Sequence, residues 1–319
     1  MNLSQLDLPV SYVLSAAVQS KIDPTRTLTL RNRFAQDMNA RFNKLKKVVK
    51  TAIIDRDCFG LNQPTTHADP QPPPDRAFAF PLSQEKVVTF MTWLRRQEQL
   101  GVLAILRHPQ IGTSIEPAWT DIYINSAYGR GVTRARQELR RAGYAVPTLE
   151  QTGGLASAMM GPFHSQRVGV LYSRSFSSLR GITEAMDNQI SQVLARGLID
   201  GEGPRALARK LVATIDGTGS GTLGLTDTLG RFIPAQRRAE MLARTEMIRA
   251  HAQGQLQEMR NWGVEGVHVV VEWVAGGRNV CPACMALQGQ TFSIDEAMNK
   301  IPLHPQCRCC WLPREKDEK

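Results

Sequence analysis

The sequence predicts a mainly α protein, an extended multi-helix body closed by a small C-terminal α+β module. Three observations carry this fold class. Apolar residues recur at helical spacing over most of the chain, one β-branched run near the end reads as a strand, and five of the six cysteines fall within residues 281–310. Such a crowd of thiols in a short, turn-rich segment gives that module a zinc-knuckle-like character.

From Thr27 to about Asp55, Phe34, Met38, Phe42, Leu45, Val49 and Ala52 fall within about 80° of arc on a helix, opposite a basic face. Asp23, Pro24 or Thr25 suits its entry and Gly60 its exit. Residues 62–81, with Pro72, Pro73 and Pro74, exclude a helix or central strand and read as a linker or arm. Ser83 suits the cap of a helix running to about Leu100, and Pro117 the start of another from Trp119 to Ala142. On its second half Val132, Ala135, Leu139 and Ala142 form a stripe, with Gly129 and Gly131 as loosening points.

Prolines and glycines between Tyr144 and Pro162 predict a mobile loop. Helices are expected at about 165–179 and 183–199, split near Gly181, followed by a short one from Pro204. The run GTGSGTLG at 217–224 reads as a hinge; its spacing lacks the Gly-Lys-Ser/Thr of a phosphate loop. Pro234 opens the last long helix, to about Trp262, with Leu242, Thr245, Ile248, Ala252, Leu256 and Met259 on one face. On this helix His251 reads as a surface or packed residue rather than a ligand. Residues 267–274 make the clearest strand.

A length of 319 residues allows two cores, and 42% hydrophobic content supports globular folding. No apolar run approaches the roughly 18 residues of a membrane span, and the mildly apolar residues 8–18 lack the basic flank of a signal peptide. The net charge of +10 makes a polyanionic neighbour plausible, although solubility alone also accounts for it. Lys44 and Lys47 on the first long helix, and Arg130, Arg134 and Arg141 on the third, are candidate phosphate contacts. With no aromatic platform among them, they suggest backbone attraction rather than sequence reading.

Cys281-Pro-Ala-Cys284 supplies a thiolate pair from a tight turn, and His304-Pro-Gln-Cys307 a second pair, which completes the four-coordinate N/S shell of structural zinc. Cys281, Cys284, His304 and Cys307 are therefore the expected ligands. Cys309 is the alternate for Cys307, because an alternating backbone puts the two on one side. Reduced structural thiols and disulfides use the same cysteines and stay open as readings. A closed N/S shell leaves no position for water, and H-E-x-x-H and G-x-S-x-G are both lacking, so no enzyme is inferred.

The ordered set Glu272-Trp273, Cys281-Pro-x-Cys284, Leu287-x-Gly289 and Ile301-Pro302-x-His304-Pro305-x-Cys307-Arg308-Cys309 resembles the C-terminal module of the Mu F-like head morphogenesis proteins, minor capsid proteins of tailed phages. Upstream, Arg244, Thr245 and Glu246 are similar to that family's preceding helix. By spacing alone Arg244 and Glu246 would be surface charges; the resemblance singles them out as a buried pair or a brace for the turn before the cysteine module.

The resemblance implies a minor structural protein of a phage head, acting in assembly near the portal or inside the shell. Its implied partners are portal, major capsid or scaffold protein and, non-specifically, packaged DNA, with no membrane. Its implied location is the virion, after assembly in the host cytoplasm. Two alternatives remain: from the residues, a zinc-knuckle nucleic-acid-binding or regulatory protein and, as the resemblance also allows, an effector enzyme with an unrecognised N-terminal site. The expected division is an N-terminal segment with the long basic helix at 1–61, a linker at 62–82, a helical region at 83–145, a mobile loop at 146–164, the helical head-morphogenesis region at 165–263, the Cys/His module at 264–313 and a charged tail at 314–319.

Overall fold

The computed structural model describes residues 23–61, 85–104, 118–217, 235–264, 269–276 and 279–315. The expected linker at 62–82, most of the hinge at 217–224, the apolar segment at 8–18, the Ser83, Pro117 and Pro234 helix starts and most of the charged tail lie outside those residues. In order, the elements are α1 (Leu28–Lys50), α2 (Glu85–Leu100), α3 (Asp121–Arg141), α4 (Gly154–Met160), α5 (Pro162–Ile199), α6 (Pro204–Asp216), α7 (Ala235–Val264), β1 (Val269–Val274), α8 (Pro282–Ala286), β2 (Thr291–Phe292), α9 (Ile294–Ala297) and β3 (Cys310–Glu315). The fold is mainly helical with a small sheet near the C-terminus, as the sequence predicts. None of the described helices is long and apolar enough to cross a membrane.

Two compact units are built from non-contiguous segments. One comprises the described residues up to Phe34 with 120–175 and those from Met241 onward; the other comprises Ala35–Trp119 and Phe176–Glu240. In the second, the apolar stripe of α1 is buried as expected, Met38, Phe42, Leu45, Val49 and Ala52 each being at most 5% exposed. The helix itself stops at Lys50, and Thr51–Asp55 continues it as a π turn against which α6 packs. Lys46 on α1 pairs with Asp216 at the end of α6, at 2.5 Å. Phe59 and Phe90 meet at 5.3 Å between ring centroids, and the guanidinium of Arg41 sits 4.3 Å from the centre of the Trp119 ring.

Two expectations about helix limits are corrected. α5 is continuous through Gly181 rather than split there, because the site is exposed and a lone glycine costs a helix only about 1 kcal/mol, less than a long packed helix gains elsewhere. The stretch 144–162, expected as a loop, holds a 3-10 turn at Glu150–Thr152 and the helix α4. Gly153 and Gly154 take the left-handed backbone that lets the chain turn between them.

In the first unit, α1 begins where the Asp23 carboxylate accepts the backbone N–H groups of Thr25 and Thr27 and pairs with Arg31 at 2.7 Å. Phe34 is fully buried and stacks on Tyr123 of α3, 5.0 Å between centroids. α3 and α7 cross backbone to backbone. A Cβ at Gly131 would lie 2.1 Å from the His251 carbonyl oxygen, and one at Gly254 would lie 2.3 Å from that of Tyr128. Only glycine allows such an approach, so Gly131 is a contact point rather than the loosening point its sequence context suggests.

The strands are antiparallel in the order β2-β1-β3, with Trp273 of β1 directly opposite Trp311 of β3. Their rings meet edge to face at 5.4 Å, the arrangement the ring quadrupoles favour, and both are fully buried. This face joins Ile248, Ala252, Leu256 and Met259 of α7, Ala135 and Leu139 of α3, and Cys284, Cys307 and Cys309 in one core. Cys310 points the other way, into a small cluster with Val274 and Leu312, as strand alternation requires.

Candidate metal centre and basic cleft

Cys281 precedes α8 in extended backbone, with Pro282 at the first helical position, and its Sγ accepts the N–H of Cys284 at 3.4 Å. That turn places both sulfurs on one imidazole nitrogen. His304 Nε2 lies 3.1 Å from Cys281 Sγ and 3.2 Å from Cys284 Sγ. Nδ1 of the same ring is 2.7 Å from the Pro305 carbonyl oxygen, so it carries the proton and leaves Nε2 as the free donor atom for a metal. Cys284 and Cys307 are 3.9 Å apart at sulfur.

Each of these pairs stands near the spacing of two ligands on one ion. Tetrahedral zinc at its usual bond lengths sets S···S edges of about 3.8 Å and S···N edges of about 3.5 Å, close to the spacings present. Two ligand triads share Cys284, one with Cys281 and His304 and the other with Cys307 and Cys309. Cys284 thus links the five expected donors, with Cys281 and His304 on one side and Cys307 and Cys309 on the other, and the expected set of Cys281, Cys284, His304 and Cys307 does not close into one mutually adjacent group of four. None of these sulfurs is joined in a disulfide.

Protonation follows the same arrangement. The Cys284 N–H, then the His304 ring, lower the Cys281 thiol, whereas burial raises that of Cys284. Cys307 is lowered by its hydrogen bond with Cys309, whose own thiol is raised in return, so the two share protons as a pair. Burial acts to lower His304, but the Pro305 carbonyl and the sulfurs of Cys307 and Cys281 raise it on balance.

The turn between His304 and Cys307 is held from α7. Arg244 donates to Gln306 Oε1 at 2.8 Å, and the Gln306 N–H reaches Thr245 Oγ1 at 3.4 Å, while Gln306 itself takes a left-handed φ of 67°. Glu246 is buried and faces Arg249 at 3.5 Å and Arg174 at 3.9 Å. Burial raises its carboxyl despite those neighbours.

Of the candidate phosphate contacts, Arg130, Arg134 and Arg141 line one cleft of about 640 Å³ together with His251. Lys44 and Lys47 are exposed residues of α1. A buried polar network in the same unit has no counterpart in the sequence reading. Two guanidinium nitrogens of Arg136 reach Glu258 Oε1 at 2.6 and 2.8 Å, Trp262 Nε1 donates to the same oxygen at 2.8 Å, and His164 Nε2 meets Oε2 at 3.0 Å. Tyr128 Oη completes the chain, 2.9 Å from His164 Nδ1. Burial alone would raise Glu258, but its hydrogen bonds with His164 and Trp262 and the Arg136 charge hold it below the usual carboxylate range. The partners lie 4 to 122 residues apart in sequence, so no local spacing could have announced the network.

No curated protein and no solved structure matches the chain. Residues 188–312, from the second half of α5 through β3 and including every residue of the cysteine cluster, match the family described as Phage Mu protein F like protein, the family that the Cys/His motif resembles.

Proposed function

We propose that this protein is a minor structural component of a tailed-phage head, acting in head assembly near the portal or inside the shell. The family match over residues 188–312 is the observation that carries this reading. Its partners would be the portal, major capsid or scaffold proteins, and its basic surface would lie beside packaged DNA without reading its sequence. Incorporation tests the role directly. Procapsids and mature heads purified from infected cells should both contain the chain, and its absence from both would overturn the proposal.

A structural zinc ion would be held by Cys281, Cys284, His304 and Cys307, with Cys309 as the alternate for Cys307. Zinc would supply folding energy to a module whose own apolar core is small. Four N/S ligands close the coordination shell, which favours a scaffold over hydrolytic chemistry. The contacts of Arg244 and Thr245 with Gln306 would then tie the metal turn to α7, so that ion, turn and helix act as one rigid surface for a head partner.

A further inference from the structure

The cleft over the α3–α7 crossing has the makings of a ligand site distinct from the cysteine cluster. Gly131 and Gly254 let the two helices touch, so the His251 backbone lies directly against α3. His251 is 1% exposed, lines the cleft, and neither ring nitrogen has a hydrogen-bond partner. A buried imidazole with both nitrogens unsatisfied is costly, and a ligand that accepts or donates there recovers that cost.

The walls state the sign of the ligand. Arg26, Arg130, Arg134 and Arg141 face a single carboxylate, Glu138. Glu138 is already engaged by Arg141 at 3.0 Å and Arg134 at 3.6 Å, which orients those guanidinium groups rather than neutralising all four. Arg130 is braced at one nitrogen by the Arg26 carbonyl, at 2.7 Å, and keeps its other donors for the cleft. Arg134 Nε, the nitrogen that faces Glu138 at 3.6 Å, is buried and makes no hydrogen bond. Burial, then the charges of Arg134 and Arg130, push His251 down to about 3, so at neutral pH it offers one N–H donor and adds no charge.

We propose that this cleft binds a terminal phosphoryl group, a phosphomonoester carried by a nucleotide or a DNA end. A monoester presents three oxygens and close to two negative charges, which suits several guanidinium donors with a neutral imidazole at the base. A phosphodiester inside a strand offers two free oxygens and one charge, and its flanking nucleosides hinder entry to a recess. The site therefore goes beyond general attraction between a basic protein and DNA, because it distinguishes strand ends from strand interiors.

The test uses the full chain and two short single-stranded oligonucleotides of one sequence, one with a 5′-phosphate and one with a 5′-hydroxyl, read by fluorescence anisotropy. The phosphorylated strand should bind about tenfold more tightly, the worth of one charge-assisted hydrogen-bond set. Arg130→Gln, an exposed and therefore fold-neutral change, and Arg134→Gln should each reduce that ratio several-fold. Lys47→Gln should lower both affinities together and leave the ratio alone. Competition by inorganic phosphate or dAMP at concentrations that displace only the phosphorylated strand would identify a small phosphorylated ligand; its failure, with the ratio intact, would identify a strand end. Equal affinity for the two oligonucleotides, or a ratio unchanged in both arginine variants, would overturn the proposal. Neither result bears on the head role, which is scored by particle composition.

Discussion

The contact between α3 and α7 makes a sharp stability prediction, because adding one methyl group has opposite consequences at two glycines. In Gly131→Ala the new Cβ would stand 2.1 Å from the His251 carbonyl oxygen and 3.0 Å from the Gln255 nitrogen. Both are backbone atoms of a packed helix, so the helices must part by about 1 Å to restore ordinary contact. Overpacking of this kind costs about 1–3 kcal/mol. Alanine returns roughly 0.5–1 kcal/mol through its helix propensity, leaving a net loss of about 1.2 kcal/mol. With a urea dependence of about 2 kcal/mol per molar, the midpoint falls by about 0.6 M. Gly181→Ala is the internal control, since its Cβ would meet nothing within 4 Å. There only the propensity gain remains, and the midpoint should rise by about 0.3 M. Urea unfolding followed by circular dichroism and tryptophan fluorescence reads both shifts. If Gly131→Ala proved neutral or stabilising, the close helix approach, and with it the placement of His251 in the basic cleft, would be wrong.

Metal analysis of freshly purified, reduced protein should give one zinc per chain, lost in Cys281→Ser and Cys284→Ser but kept in Cys58→Ser, since Cys58 lies in the other unit; a metal-free native protein with residues 279–315 protected from hydrogen exchange would refute the ion. Chelation should loosen that module while the helices of the Ala35–Trp119 and Phe176–Glu240 unit hold their protection. Phe34→Asp, which buries a charge at a fully buried ring, should destabilise by more than about 3 kcal/mol, and Lys47→Asp, on an exposed face, by about 0.5 kcal/mol or less, as measured by denaturant unfolding. For Glu258 the folded pKa is depressed, so its contribution to stability is complete above the ordinary carboxylate value and is lost as pH falls through the folded value. Glu258→Gln should therefore lower stability at neutral pH and make the decline into acid shallower, and a parallel acid profile would show that the carboxylate is not the group responsible.

The sequence by itself determined the helical character of the body, the strand at β1 and the membership of the cysteine cluster. Each depends on short-range pattern. The stripe from Phe34 to Ala52 follows the 3.6-residue period, the run from Val269 to Val274 is β-branched, and Cys281 and Cys284 sit at the spacing of a single turn. The ordered motif through Cys309 likewise pointed to the family that residues 188–312 match. Tertiary structure decided what joins distant segments. It pairs Arg136 with Glu258 across 122 residues, sets His251 of α7 among the arginines of α3, and builds both units from separate stretches of chain. It also reversed the meaning of two glycines, making Gly131 a point of backbone contact and leaving Gly181 inside an unbroken helix. A glycine carries the same local propensity in either place, and only the neighbour across the gap decides whether a missing side chain is a weakness or a requirement.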